Sequence, residues 1–456
     1  MNSTRLVPPA IPRWRSLMDS KAMIKNPVAI FSKYAAEGKE TFTFHFGGIQ
    51  KAIVTSNPAI IQHVLKTNYE NYHKSDIQVK RMAHFLGKGL LTSHGKEWLI
   101  KRRLIQQGFH KERLGKLVSI MQIDFAELMD DWDKEIDKGA VDIYQQMMRI
   151  TFKMVTRSLF SITLPKNELT TISNSILTIQ QFMVKQIVQP YLNPWFWVSG
   201  KLHHYEQIRN SSYDIIMKYI RRRRASNLGH DDMLQIFFDA RYEHSDEGMD
   251  DDEILSESMQ LLVAGHETSS NALSWTLYLL CRHPDAINAI RNEIDDVLGD
   301  GNFEFKHIEA LTYTTQVIEE SLRLYPPFWM VDREALSDDE VAGLDIPAGS
   351  TVIAFIHALH HSPLYWKDPE EFRPERFAPA EKKKHTPFTF MPFGAGPRGC
   401  IGGNFAMMQM LLILTNIIRN YDIKLVPDEA VEIEPMLILR PKGGIKIKFS
   451  KRNDLK

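Results

Sequence analysis

The sequence predicts a mainly α-helical protein with a minor β region, and three observations predict it. Residues 98–224 carry apolar-polar periodicity of helical type with few breakers. An apolar-rich stretch runs from the acidic cluster at 250–253 to Cys281; at ~1.5 Å per residue its roughly 30 residues make one helix of ~45 Å, long enough to cross the molecule. The last third is richer in Pro and Gly, with short strand-like pieces at 351–355 and 445–449.

Each element has a local reason. The segment TFTFHF at 41–46 alternates as a half-buried strand does, Gly47-Gly48 closes it, and 51–54 is the expected return strand of a hairpin. The acids Asp250, Asp251, Asp252 and Glu253 complement the positive end of the long helix, and Pro284 stops it. The four arginines Arg221 to Arg224 read as a solvated helix end. No repeat, low-complexity tract or linker divides the chain. We therefore expect a single domain over 1–456, with a small β part at about 40–60, a helical body at about 60–330 and a glycine-rich loop at 393–402.

Composition excludes several classes of function. The 456 residues hold 56 Lys+Arg against 56 Asp+Glu, without the basic excess that phosphate binding needs. Two cysteines cannot build a disulfide framework, which suits a reducing compartment. Residues 1–20 contain no signal-type apolar stretch, and no uncharged run approaches the ~18–20 residues of a membrane span. A soluble, cytoplasmic monomer without nucleic-acid partners is the expectation.

The most informative segment is FGAGPRGCIG at 393–402. A thiolate persists near neutral pH only with donors and positive potential around it; bare glycine backbone supplies N–H groups, and the helix-like run from Asn404 supplies an N-terminal field. Such a thiolate suits an axial ligand to haem iron, where it favours O–O cleavage. Cys281 ends an apolar helix with no glycine nearby and reads as inert packing.

The loop resembles the haem-binding signature of the cytochrome P-450 family, Phe-x-x-Gly-x-Arg-x-Cys-x-Gly, with Phe393, Gly396, Arg398, Cys400 and Gly402 at its fixed positions. Other family motifs follow in order. Ala264-Gly265-His266-Glu267-Thr268-Ser269 is similar to the oxygen-activation motif, with Ser269 in place of the second Thr. Glu320 and Arg323 match Glu-x-x-Arg, and Arg376 lies in a segment like Pro-Glu-Arg-Phe. Trp98 and Arg102 fit Trp-x-x-x-Arg, one turn apart on a helix face. His266, about 200° round the helix from Ala264 and Thr268, is expected off their face.

The resemblance implies a cytochrome P-450 fold with the long central helix over haem b, and a haem-thiolate monooxygenase of the soluble bacterial type. It makes Cys400 the iron ligand and assigns Trp98, Arg102, Arg333 and Arg398 to the haem propionates. Phe393, Ala264 and Gly265 would flank the haem, with Gly265 letting the helix backbone open locally. Thr268 and Glu267 would relay protons, and Glu320, Arg323 and Arg376 would form a buried structural triad. Relatives that do not hydroxylate (peroxygenases, isomerases, gas sensors) commonly lack the acid–hydroxyl pair, which is intact here. The chain after Cys400 is too short for a flavin reductase, so electrons would come from a separate ferredoxin or flavodoxin with its reductase. Lys101, Arg103 and Lys382 to Lys384 form the expected docking patch.

For the small-molecule substrate, family position points to Trp329, Met330, Val331, Gln260 and Gln181. Gln180, Gln181, Gln186 and Gln189 cluster with Trp195 and Trp197, a combination suited to a polar ring-shaped ligand. O-demethylation of a methylated sugar such as 6-O-methyl-galactose is the specific expectation, and fatty-acid or terpene and steroid hydroxylation the other.

Overall fold

A short helix, α1 (Arg13–Met18), leads into the β region, where β1 (Thr41–Phe46) and β2 (Gln50–Thr55) pair antiparallel with Thr41 opposite Thr55. The computed structural model describes residues 8–452 apart from 38, 137–138, 227, 243–246 and 428–430. The hairpin is where the sequence places it, but β1 is buried on both faces from Phe42 to Phe46. One face packs Phe42, Phe44 and Phe46 edge-on against Phe31, with centroids 5.3–6.1 Å apart. On the other side the chain at 9–11 adds itself to the strand, Thr43 N–H donating to Pro9 O and Ile11 N–H to Thr43 O.

Three later strands complete this sheet: β3 (Tyr72–His73), β4 (Val331–Ala335) and β5 (Thr351–Ala354), in the order β1-β2-β5-β4-β3. Only β2–β5 is parallel among these pairs. The pairing of β3 with β4 sets Tyr72 opposite Ala335 and so brings the cations at 74 and 333 into one neighbourhood.

The helical body runs through α2 (Gly95–Gln106), α3 (Lys111–Ile136), α4 (Ile143–Phe160), α5 (Lys166–Val188), α6 (Asn193–Val198) and α7 (Lys201–Ser226). At its centre lies α8 (Asp251–Arg282), 32 residues long. Its start is a capping box: Asp250 accepts from the Glu253 N–H, and Glu253 accepts from the Asp250 N–H. Pro284 opens the next helix, Pro284–Leu298. Packing against α4 is close because a Cβ at Gly265 would meet Val155 Cγ2 at 3.2 Å. Of the arginine run, Arg223 leaves solvent to pair with Asp232 at 3.0 Å, and Arg224 pairs with Asp251 at 2.8 Å, so only part of it is a solvated helix end.

Two further elements frame the site. α9 (Thr312–Leu324) carries Glu320 and Arg323, and α10 (Gly403–Asn420) follows the cysteine loop. A hairpin of β6 (Ile433–Pro435) and β7 (Leu439–Pro441) is pinned to α8, where Trp275 Nε1 donates to Leu439 O at 3.3 Å. Among the described residues no helix is long and apolar enough to cross a membrane.

Candidate haem-thiolate site

The cysteine loop is held by its own backbone. Cys400 N–H donates to Phe393 O at 2.8 Å, which folds the segment back on itself. Gly394 and Gly396 both take φ of +69°, and a Cβ at Gly396 would lie 1.9 Å from Leu65 O. No other residue fits there, because the loop is pressed on the backbone of 63–67. Cys400 is exposed at the end of this loop, just before α10. Although it reaches open space, the protein packed round the loop still takes water from its thiol and pushes it up, while the Gly402 N–H and the Arg102 charge pull it back down. Cys281 has no such help; burial alone pushes it up to about 12.

Beside the loop the fold gathers cations with few carboxylates. The guanidinium of Arg102 lies 5.7 Å and that of Arg398 5.3 Å from the ring centre of the buried Trp98. Arg102 donates to Gly399 O at 2.9 Å, and Arg398 to Tyr72 O at 2.5 Å with its Nε left without a partner. Arg333 is buried and donates to Asp332 O at 2.7 Å; burial pulls it down to about 10. Lys74 joins them, a residue the sequence reading did not single out. Burial and the repulsion of Arg333, Arg398 and Arg102 pull it down to about 7. The nearby Asp332 carboxylate is already engaged by Ser75 and Gln78. Four crowded cations, with Asp332 and Glu257 the carboxylates acting on them, fit a doubly negative group, and a thiol beside them fits the remaining demand of a haem with its two propionates.

The opposite wall is α8. In its buried middle, Ala264, Gly265 and Thr268 keep accessible surface, whereas Val263, His266 and Glu267 do not. The expected opening at Gly265 is not present: α8 runs unbroken, and Thr268 Oγ1 donates to Ala264 O at 2.7 Å. His266 faces α4, its Nδ1 2.6 Å from Leu262 O and its ring edge-on to Phe152 at 4.6 Å; burial pulls it down to about 4. Glu267 is fully buried, and its carboxyl is pushed up to about 7 by desolvation, against Gln180 and Arg440. Gln180 Nε2 on α5 donates to Glu267 Oε2 at 2.6 Å, and Oε1 has no partner.

The triad closes on itself. Arg323 donates from Nε and a terminal nitrogen to both oxygens of Glu320, at 2.7 and 2.8 Å, and Arg376 adds a contact at 3.3 Å. Arg323 also holds His360 O and Pro369 O, tying α9 to the segment ahead of the cysteine loop.

Above the exposed face of α8, a cavity is lined by α5, α7 and α8, the segment 82–91, Phe328, and Leu437-Ile438. Several expected substrate residues lie elsewhere. Gln181 faces solvent, because one step along a helix turns it away from its buried neighbour Gln180. Gln260 spends its amide on backbone, donating to Leu86 O and Gly87 O and accepting from the Leu91 N–H, so it clamps the 86–91 segment to α8. Trp329 is buried away from the cavity, packed on Phe31 and Phe355 with Nε1 donating to Met436 O. Met330 and Val331 do not line it, and Phe328 does. Trp195 and Trp197 are 59% and 74% exposed on the outside. In the expected docking patch, Lys101 is buried against Glu257 at 2.9 Å, and Lys382 and Lys384 are paired with Glu319 and Glu381.

A thiol on a glycine-rich loop, arginines gathered beside it and a hydroxyl on the accessible side of a long buried helix together fit a haem-thiolate protein. The chain belongs to the cytochrome P-450 family, whose model matches residues 7–449. It is 29% identical over 385 residues to cyclooctat-9-en-7-ol 5-monooxygenase of Streptomyces melanosporofaciens, covering 83% of this chain and 82% of that one. It is 32% identical over 389 residues to cytochrome P-450 4F6 of Rattus norvegicus (79% and 71%), and 30% over 429 residues to the putative cytochrome P-450 132 of Mycobacterium tuberculosis (90% and 90%). The crystal structure of the cytochrome P-450DA heme domain superimposes with a TM-score of 0.86 at 22% identity, over 98% of each chain. The chain is a haem-thiolate monooxygenase whose cofactor is haem b.

Proposed function

We propose that the chain oxygenates an apolar, mainly hydrocarbon substrate, and that the lining of the cavity carries this reading. Phe85, Leu86, Leu91, Ile176, Ile179 and Met183 surround the space above Val263 and Ala264. The polar side chains there are mostly occupied: Gln180 by Glu267, Arg209 by His84 O, Tyr213 by Phe85 O, and Thr268 by Ala264 O. Ser212 Oγ and Gln180 Oε1 have no partner and are the two points left for a substrate hydroxyl among the described residues. A sugar would bury several hydroxyls here unpaired, at about 1–3 kcal/mol each. The Streptomyces relative is named for oxygenating an alcohol, cyclooctat-9-en-7-ol. A terpene-like alcohol therefore suits this site better than 6-O-methyl-galactose, with a fatty acid second.

Bound haem b supplies the activation and transfer of oxygen. Cys400 would bind its iron, and Trp98, Arg102, Arg333, Arg398 and Lys74 would hold its propionates, all within one domain. Thr268 must break its bond to Ala264 O to turn its proton into the cavity. Glu267, with a pKa near neutrality, holds or releases a proton of its own at its unpartnered Oε1, behind the cavity wall. Electrons come from a separate ferredoxin or flavodoxin with its reductase, with exposed Lys383 and Arg103 left to the docking face once Lys101 is removed from it.

The test is a titration of the ferric holoprotein, following water displacement in the haem absorption spectrum. A tricyclic terpene alcohol should give the shift at micromolar concentration, a medium-chain fatty acid more weakly, and methyl galactosides none. A shift with the methylated sugar, and formaldehyde on turnover, would reverse the assignment.

A further inference from the structure

The cavity keeps two buried polar atoms without partners, Gln180 Oε1 on α5 and Ser212 Oγ on α7. They differ in what they can tell apart. A serine hydroxyl turns to donate or to accept, so Ser212, like Ser175 in the same lining, meets an alcohol and a ketone equally well. A primary amide carries a carbonyl on one side and an NH2 on the other. Its orientation therefore decides which kind of group a ligand must bring.

That orientation is set from behind the cavity wall. Gln180 lines the cavity, whereas Glu267 has no accessible surface, and Gln180 Nε2 donates to Glu267 Oε2 at 2.6 Å. A carboxylate only accepts, so an ionised Glu267 must be given the NH2, which leaves the amide carbonyl for the cavity. A protonated carboxyl is a donor as well. The amide can then turn over, taking the acid O–H on Oε1 and offering Nε2 to the ligand.

The groups around Glu267 let it exist in both states. Desolvation pushes its carboxyl up to about 7, against Gln180 from α5 and the charge of Arg440 from β7. Arg440 is itself held by Glu434 at 2.7 Å. Tyr144 faces it from α4 with its phenol pushed up by burial, and His266 on its own helix is turned to Leu262 O. The cavity's own ionisable side chains among the described residues are Arg209, a guanidinium that stays charged, and Tyr213, pushed up by burial.

We propose that Gln180 selects the functional group of the substrate. With Glu267 ionised the cavity takes a hydrogen-bond donor, an alcohol; with Glu267 protonated it also takes an acceptor alone, a ketone. This rests on the reading of the cavity as a hydrocarbon site, and it names the feature by which one hydrocarbon skeleton is chosen over another.

The test is the affinity of the ferric holoprotein for adamantane, 2-adamantanol and 2-adamantanone at pH 6 and pH 8.5. The three share a tricyclic skeleton, and ratios between them cancel any effect of pH on the haem. In wild type the ketone should weaken about tenfold from pH 6 to pH 8.5, because one buried acceptor is then set against another. The hydrocarbon and the alcohol should hold. Glu267→Gln, whose amide both donates and accepts, should keep the ketone at its wild-type pH 6 affinity throughout. Gln180→Leu should give one ketone-to-alcohol ratio at both pH values. Ser212→Ala should weaken alcohol and ketone by a common factor and leave the pH dependence in place. The carbon monoxide spectrum of each variant confirms that the haem site is intact. A ketone-to-alcohol ratio that does not move with pH in wild type, or still moves in Glu267→Gln, overturns the proposal and leaves the hydrocarbon reading standing. Failure of all three compounds to shift the spectrum overturns that reading, and this proposal with it.

Discussion

Glu267 has a carboxyl pKa near 7 in the fold against about 4.5 when exposed, because it is buried with only one oxygen bonded. Between those values the folded chain keeps a proton that the unfolded chain loses, so this residue makes stability fall as pH rises through the window. His266, pulled down to about 4 from 6.5, acts in the opposite sense: its neutral burial costs stability as pH falls from 6.5 towards 4. Glu267→Gln should therefore stabilise the protein more at pH 8 than at pH 4.5, read as the difference in Tm across the pH series. Thr268→Ala should keep substrate binding but divert reducing equivalents into peroxide. Unchanged coupling of NADPH to product, measured with the reconstituted electron donors, would remove Thr268 from proton delivery. Motif spacing singles out Cys400, Glu267 and Thr268 in the sequence, and the fold sets the first on its glycine loop and the other two on α8. Gln180 and Gln181 were not separable, because adjacent residues in a lid helix differ only in which way the helix is turned.

At the scale of elements, the long helix was legible from its acidic start and Pro284 stop, and the capping box realises the first of these. What the sequence hid is that α8 also fastens the roof. Gln260→Leu leaves the Leu91 N–H and two carbonyls unpaired, and should cost about 2–3 kcal/mol, seen as a lower Tm together with weaker substrate binding as 86–91 loosens. Arg323→Leu leaves the Glu320 carboxylate with only Arg376 and the Arg373 N–H on one oxygen and should cost about 3–5 kcal/mol, so that little folded holoprotein is recovered. Arg323→Lys should rescue this only in part, because an ammonium cannot make the bidentate contact. The β1–β2 hairpin was readable from its turn glycines. Its full burial was not, since the covering Phe31 and the segment at 9–11 that pairs along its edge come from outside the hairpin.

For the whole molecule, a net charge of zero conceals a strong internal imbalance. Lys74, Arg102, Arg333 and Arg398 crowd one another beside the cysteine loop, and propionates bound there would relieve the repulsion. Haem should accordingly raise Tm, and Lys74→Gln should narrow the gap between the apoprotein and the holoprotein by raising the former. Equal gaps in wild type and variant, by calorimetry, would show that Lys74 does not feel the cofactor. Substrate class was the least legible property. It depends on which side chains remain unpaired inside a cavity, and pairing is a matter of tertiary contact.

One hydrogen bond joins these scales. Gln180 belongs to the helix that roofs the cavity, and Glu267 to the helix that floors it. Any ligand that lifts α5 weakens that bond and raises the carboxyl's proton affinity. Reciprocity then requires that the proton on Glu267 change the affinity for the ligand by the same factor. Occupancy of the cavity and the acid–base state of the oxygen-activating helix are thermodynamically linked variables, set by an amide and a carboxylate 2.6 Å apart.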